Sequence, residues 1–490
     1  MYQLIFNGFI KPIVPELIMI ITSVGCLLIS LFRKNIKNTK WQATLIILAI
    51  LAALLCLRSS FYHSSVIAFD KMFMSDLYVA FSKGLILISS IIFFVIYLNQ
   101  HQAGKFMTDK YEFSVIVVFS IIGMMIMLSA NDLLIMYLGI ELQSLCLYVL
   151  AAFNRDQESS VEAGIKYFIL GALASGLLLY GISLIYGFSG NTNFTTLSKL
   201  YLINTGETNI PIGILIGVIL ITIGLAFKIA AVPFHMWAPD VYEGAPIIVT
   251  TFFATVPKLA SALFLIKFLV KVCAIWVEYW QQILMFFAIA SMIIGTLGAL
   301  YQHNIKRLFA YSSISHIGYI LLGISLANIN GIHSSLMYLI IYVVMNLGVF
   351  ACIVYLRKEG IVQENIKEWS GLASKNPLLA FSLLVLMFSQ AGIPPIAGFF
   401  AKFYIFTAVI KEGYYLLAII AAVTSVISAY YYLRIVKIMY FEVPNGYTYR
   451  EFLPEGMFII FLIILFNILF FLIAKPLLLV TLDITRALIL

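Results

Sequence analysis

Four ionisable residues stand in stretches that are otherwise apolar. Glu141 lies in NDLLIMYLGIELQSLCLYVL, Lys228 in GLAFKIAAVPFHMWAPD, Lys258 directly after Pro257, and Lys402 in FSQAGIPPIAGFFAKFYIF. Holding a charge deep in hydrocarbon costs on the order of several kcal/mol. A desolvated lysine responds by giving up its proton, and a nearby carboxylate draws the proton back. A Glu and a Lys at one depth therefore hold or release a proton according to their separation, which is the chemistry of a proton relay. A static ion pair that fixes helix register is the competing reading. One Glu and one Lys would satisfy it, but two further buried lysines without deep acidic partners would not.

Prolines accompany the lysines. Pro233 removes the helical hydrogen bond to the carbonyl of Ile229, Pro257 frees that of Phe253, and Pro394 and Pro395 free those of Gln390 and Ala391. Unwound backbone at membrane depth survives only where protein or water satisfies it. The four prolines are thus read as helix breaks beside hydrated pockets rather than as packing kinks. His316, in KRLFAYSSISHIGYILLG, is an accessory relay candidate, with a satisfied packing histidine as the equal alternative. His235 is read as lining an entrance or capping structure, and it lacks an opposite intramembrane histidine that would make a haem site.

The elements that must carry these residues follow from composition. Hydrophobic residues make up 63% of the 490 and charged ones 11%, with a mean hydropathy of +1.05. Soluble domains have roughly 45–50% and about 25%. Fourteen apolar spans are read at 12–32, 41–57, 77–98, 113–129, 132–153, 163–188, 210–239, 245–274, 279–301, 306–327, 333–356, 377–410, 414–440 and 456–482. Helices are expected because a spanning helix satisfies its own backbone groups in lipid. The fold class is an all-α polytopic membrane protein of about 14 transmembrane helices. The first span leads into a basic loop and is read as retained rather than as a cleaved signal. The five cysteines (Cys26, Cys56, Cys146, Cys273, Cys352) are scattered singly, so neither a disulfide framework nor a zinc or iron–sulfur site is expected.

Depth ties two of the lysines together. Spans seven and eight turn near Glu243, with Lys228 and Lys258 about 15 residues to either side. At about 1.5 Å per residue, both lie roughly 20 Å from that turn, near mid-bilayer. Glu141, nine residues after Asp132, is read as the only acidic residue this deep. Lys83, near a span end, is expected to snorkel to the interface.

The net charge of +8 finds no basic domain that would bind nucleic acid. Orientation accounts for it. Loops after odd-numbered spans carry seventeen Lys and Arg, among them Arg33, Lys34, Lys37, Lys105, Lys306 and Arg450; the opposite side, with Lys267 and Lys271, carries nine. The bias places both termini on the non-cytoplasmic side. Spans four to eight and nine to thirteen form two sets of five. Five is odd, so the second set enters from the opposite side as an inverted repeat. The expected units are an N-terminal three-helix segment (1–110), two five-helix repeats (111–275 and 276–442) with broken helices seven and twelve, and a C-terminal helix (443–490).

NDLLIMYLGIELQSL, AFKIAAVPFHMWAPDVYEGAP, KRLFAYSSISHIGY and GIPPIAGFFAKF, taken together, resemble the antiporter-like membrane subunits of respiratory complex I, NADH:quinone oxidoreductase. The resemblance covers essentially the whole chain. It implies fourteen helices, two inverted five-helix units, and a proton path through Glu141, Lys228, Lys258 and Lys402. The M-type class has a glutamate in span twelve, which this chain lacks, and the L-type class is longer and ends in a lateral helix. The N-type class fits length, span count and Lys402. The resemblance further implies that this chain carries no redox centre or metal, and that NADH, FMN, iron–sulfur clusters and quinone belong to partner subunits. The implied neighbours are an M-type subunit and small helical subunits in a lipid bilayer. The setting is a bacterial inner membrane, with a non-animal mitochondrion as the alternative. The expected function is redox-driven proton translocation as part of a translocase. Its rivals are a subunit of a multi-subunit cation/proton antiporter and a non-transporting scaffold.

Overall fold

The computed structural model describes residues 11–32, 40–58, 65–101, 110–203, 211–358, 361–444 and 454–489. Arg33, Lys34, Lys37, Lys105 and Arg450, five of the cations that orient the chain, lie outside the described residues. Apolar helices follow one another as α1 (Val14–Phe32), α2 (Lys40–Leu57), α3 (Leu77–His101), α4 (Tyr111–Ser129), α5 (Leu133–Ala151) and α6 (Glu158–Ser189). A short helix, α7 (Phe194–Ile203), leads to α8 (Ile212–Lys228) and α9 (Trp237–Gly244), the two halves of span seven. Span eight divides into α10 (Ile247–Phe253) and α11 (Val256–Lys267), extended by a π turn over Phe268–Val272. Then come α12 (Val277–Leu300), α13 (Ile305–Ser325), α14 (Ile329–Tyr355), α15 (Pro377–Ala391), α16 (Ala397–Lys411), α17 (Tyr415–Phe441), α18 (Pro454–Ile468) and α19 (Phe470–Ile489). Two small antiparallel hairpins, Val66–Ala68 with Phe73–Ser75 and Arg357–Lys358 with Ile361–Val362, interrupt the helical order.

Among the described residues, 12 helices are long and apolar enough to cross a membrane, or 13 if the bent C-terminal pair counts as one span. The remaining expected span, 377–410, is split into α15 and α16 of 15 residues each, on either side of the double proline. The core sits around spans eight, ten and eleven, whose apolar windows are 94% buried inside the protein.

The C-terminal span departs from expectation. Instead of one helix over 456–482, α18 and α19 meet at 79° around Leu469. Ser389 donates to Asn467 Oδ1 at 2.8 Å and so ties the end of α18 to α15. Beyond the bend, α19 packs against α14 and α3. The N-terminal segment also corrects the sequence reading. Lys83 is fully buried and forms an ion pair with Glu16, itself fully buried, so Lys83 does not snorkel.

The two five-helix sets share local geometry at matched positions. A Cβ on Gly123 would lie 2.6 Å from Gln143 N and 2.8 Å from Gly139 O; one on Gly295 would lie 2.5 Å from Ser315 N and 2.9 Å from Tyr311 O. Only a missing side chain allows α4 to meet α5, and α12 to meet α13, this closely. Asp132 bridges to Asn193 as Asn304 bridges to Asn365. Each bridge has the same pair of bonds, Leu133 N to Thr192 O and Phe194 N to Asn131 O in one, Ile305 N to Glu364 O and Ile366 N to His303 O in the other. A single offset along the chain relates every one of these pairs.

Candidate functional site

Helix α5 begins at Asp132, whose carboxylate accepts from Leu134 N at 2.8 Å and from Thr192 Oγ1 at 2.6 Å. That cap satisfies a free donor of the first turn and fixes which residues face inward. Glu141, Ser144 and Tyr148 then fall on one face at i, i+3 and i+7. Glu141 is half-buried, and its Oε1 is buried without a hydrogen-bond partner among the described residues.

Lys228 ends α8 and is 6% exposed. Its ammonium donates to Ser144 Oγ at 2.6 Å and to Tyr148 OH at 3.4 Å, and lies 5.7 Å from the Tyr148 ring centroid. The expected Glu141 partner is therefore replaced at contact distance by two hydroxyls of the same helix.

After Lys228 the helix unwinds. Ala230 adopts φ +59, and Ala231 N reaches back to Ala226 O at 2.9 Å. Val232 N donates to Ser291 Oγ and the Trp237 indole donates to Phe227 O, both at 2.9 Å. Protein groups thus satisfy these freed backbone groups. The second break repeats the pattern. Gly392 has φ +84, Ile393 N reaches Phe388 O at 3.0 Å, and Val232–Pro233 and Pro394–Pro395 are both cis. By this match the counterpart of Lys228 is Gln390, not Lys402. Gln390 is fully buried. Pro233, Pro394 and Pro395 lie at the exposed surface of the chain. Pro257 sits in the first turn of α11, where the missing N–H breaks no helical bond.

Lys258, also in that first turn, is 1% exposed. It donates to Ser313 Oγ at 2.5 Å and stands 5.0 Å from the Tyr242 ring centroid. Ser313 belongs to α13, which carries His316 and Tyr319 at successive three-residue steps. His316 Nδ1 lies 2.7 Å from Tyr338 OH and its Nε2 lies 3.1 Å from Tyr432 OH; Tyr432 OH in turn lies 2.5 Å from Ser312 Oγ. Lys402, 4% exposed, donates to Ala391 O and Ser425 Oγ, both at 2.9 Å, and sits 5.5 Å from the Tyr319 ring centroid.

One face of α13 therefore links Lys258 to Lys402, while Lys228 is held on α5 with Glu141. No ion pair of up to 4.0 Å involves Lys228, Lys258 or Lys402 among the described residues. Sequence reasoning missed Ser144, Tyr148, Ser313, Tyr338, Tyr432 and Ser425. The spacing of Ser144 from Glu141, and of Ser313 from His316, was the available signal. Among the described residues no group of three His, Cys, Asp or Glu is arranged to hold a metal ion.

A family model described as NADH:quinone oxidoreductase/Mrp antiporter, TM, matches residues 130–428. The NADH-quinone oxidoreductase subunit N of Paramagnetospirillum magneticum is 48% identical over 440 residues, 88% of each chain. That of Parvibaculum lavamentivorans is 44% identical over 479 residues, 97% of each. A chain in the structure of respiratory complex I from Thermus thermophilus aligns with a TM-score of 0.77 and 29% identity, over 94% of this chain and 99% of that one. A chain of the Mrp complex from Dietzia sp. DQ12-45-1b aligns with a TM-score of 0.84 and 20% identity over 97% and 98%, a likeness of fold alone.

Proposed function

The chain belongs to the subunit N family of NADH-quinone oxidoreductases, and from that premise we propose how protons cross it. It is a membrane subunit of proton-translocating complex I. The path runs from Glu141 and Lys228 to Lys258, then along α13 through Ser313 and His316 to Lys402. The observation that carries this reading is that three mid-span ammonium groups are almost fully buried and bonded to hydroxyls rather than to carboxylates. A buried lysine tied to a carboxylate would hold its proton, whereas one tied to a hydroxyl is poised to exchange it.

Glu141, on the same face of α5 as the Ser144 that bonds Lys228, favours the charged form of that lysine. A shift of α5 against α8, driven from a neighbouring subunit, weakens that attraction and sends the proton towards Lys258. Moving one charge against 100 mV requires about 2.3 kcal/mol, and one pKa unit corresponds to about 1.36 kcal/mol. Rearranging one charge pair is enough to supply it. The matched geometry of the two five-helix sets supports reading 111–275 and 276–442 as inverted repeats. Pro233 and Pro394–Pro395 are exposed at the surface of the chain, and we take those faces as the seats of neighbouring subunits. We place the M-type subunit and the small helical subunits there. NADH, FMN, iron–sulfur clusters and quinone reside in other subunits. Both termini face the non-cytoplasmic side of a bacterial inner membrane.

The test is Lys228→Ala in the reconstituted complex, read as protons translocated per NADH oxidised. We expect the ratio to fall. A wild-type ratio would remove Lys228 from the path.

A further inference from the structure

A second group of buried charges lies at the other end of span eight, away from the Glu243 turn. Lys267 was counted with the loops, yet it is 1% exposed, and its ammonium donates to Leu128 O at 2.7 Å and Ala130 O at 2.9 Å. These carbonyls end α4, where the helix dipole favours a cation. No carboxylate pairs with Lys267 at contact distance among the described residues. Asp76, Lys271 and Lys83 all lie within its electrostatic reach. One turn further on, Lys271 bonds Asp76 at 2.8 Å, their side chains 31% and 14% exposed. The intervening π turn, Phe268–Val272, is a departure from α geometry that recurs at functional sites.

Lys258 and Lys267 stand on the same helix, nine residues or about 13 Å apart. Between them the Tyr78 hydroxyl donates to Leu263 O at 2.7 Å. Ser129, set between the two residues whose carbonyls hold Lys267, has a buried hydroxyl with no hydrogen-bond partner among the described residues. Buried polar atoms without partners are rare and usually bind ordered water.

We propose that Lys267, with Asp76 and Lys271, is a proton port that connects Lys258 to the membrane face opposite the Glu243 turn. It rests on the reading of Lys258 given above. In the release step an N–H bond of the Lys267 ammonium breaks and an O–H bond forms on the Asp76 carboxylate, directly or through water. The neutral Lys267 amine then takes a proton handed on from the Lys258 ammonium through intervening water, and Asp76 gives its proton to solvent. Burial pushes the Asp76 carboxyl up, but Lys271 and Lys267 outweigh it and hold the carboxyl below its ordinary range. A proton that reaches Asp76 is therefore passed on, not retained.

A purely structural cap on α4 needs only a cation with N–H donors, and an arginine supplies both while never releasing its proton. The experiment compares Lys267→Arg with Lys258→Ala in the intact complex, reading protons translocated per NADH oxidised, with NADH oxidation by an artificial acceptor as the control for assembly. We expect Lys267→Arg to lower the ratio as far as Lys258→Ala does. Asp76→Asn, which keeps an oxygen for the Val79 N–H but gives up the second carboxylate oxygen that accepts from Lys271, is expected to lower it too, and it decides the matter if the arginine variant does not assemble. A wild-type ratio in the variant that assembles, with a lowered ratio in Lys258→Ala, would overturn the port and leave the main path standing. A wild-type ratio in Lys258→Ala would instead overturn the path itself.

Discussion

At the scale of single residues, a hydroxyl is what each relay lysine touches. A hydrogen bond to a charged group contributes about 1.5–3 kcal/mol, which is on the order of one to two pKa units. Ser144→Ala removes the 2.6 Å bond to Lys228. We expect coupled NADH:quinone turnover to slow in an assembled complex, and undiminished turnover would remove Ser144 from the relay. Glu16 and Lys83 make a different prediction, because each fully buried charge needs the other. Lys83→Met alone should destabilise by about 3–5 kcal/mol, and the Glu16→Gln/Lys83→Met pair should recover most of that loss. Thermal unfolding of the purified chain measures both. The burial of Lys228, Lys258 and Lys402 was legible because a charge in an apolar run stands out. Ser144 and Ser313 were not, since serine also serves ordinary close packing. Lys83 and Lys267 were misread because they lie near span ends by number, where charges usually reach water. Their burial comes from tertiary contacts.

At the scale of elements, the two breaks share one backbone path. Ala230 and Gly392 occupy the same position in it, both left-handed. A non-glycine residue there costs roughly 1–2 kcal/mol. Gly392→Ala should destabilise by about that amount and also press on Lys402, whose Cδ lies 3.0 Å from the new Cβ. Ala230→Gly should be close to neutral, because relief of strain is offset by the roughly 0.5–1 kcal/mol that glycine loses in flexibility on folding. Paired melting curves of the two variants check this asymmetry, and equal losses would refute the shared backbone path. The breaks were legible from their prolines. The bend at Leu469 was not, for no proline or glycine stands at it, and contacts of α18 and α19 with other helices set the angle.

At the scale of the whole molecule, the polar line passes through the most buried spans, and the exposed breaks lie at the chain's edge. The Asp70 turn and Tyr301 lie at opposite ends of the transmembrane bundle, and both are exposed. In a cysteine-free background, Asp70→Cys should react with an impermeant thiol reagent from the non-cytoplasmic side, and Tyr301→Cys only from the cytoplasmic side. The reverse labelling would invert the assigned orientation. The most direct single measurement concerns Lys258, where α11 of the first set meets Ser313 of the second at 2.5 Å. In an assembled, NADH-oxidising complex carrying Lys258→Ala, we expect fewer protons translocated per NADH than in the wild type. An unchanged ratio would contradict proton passage through the buried lysines.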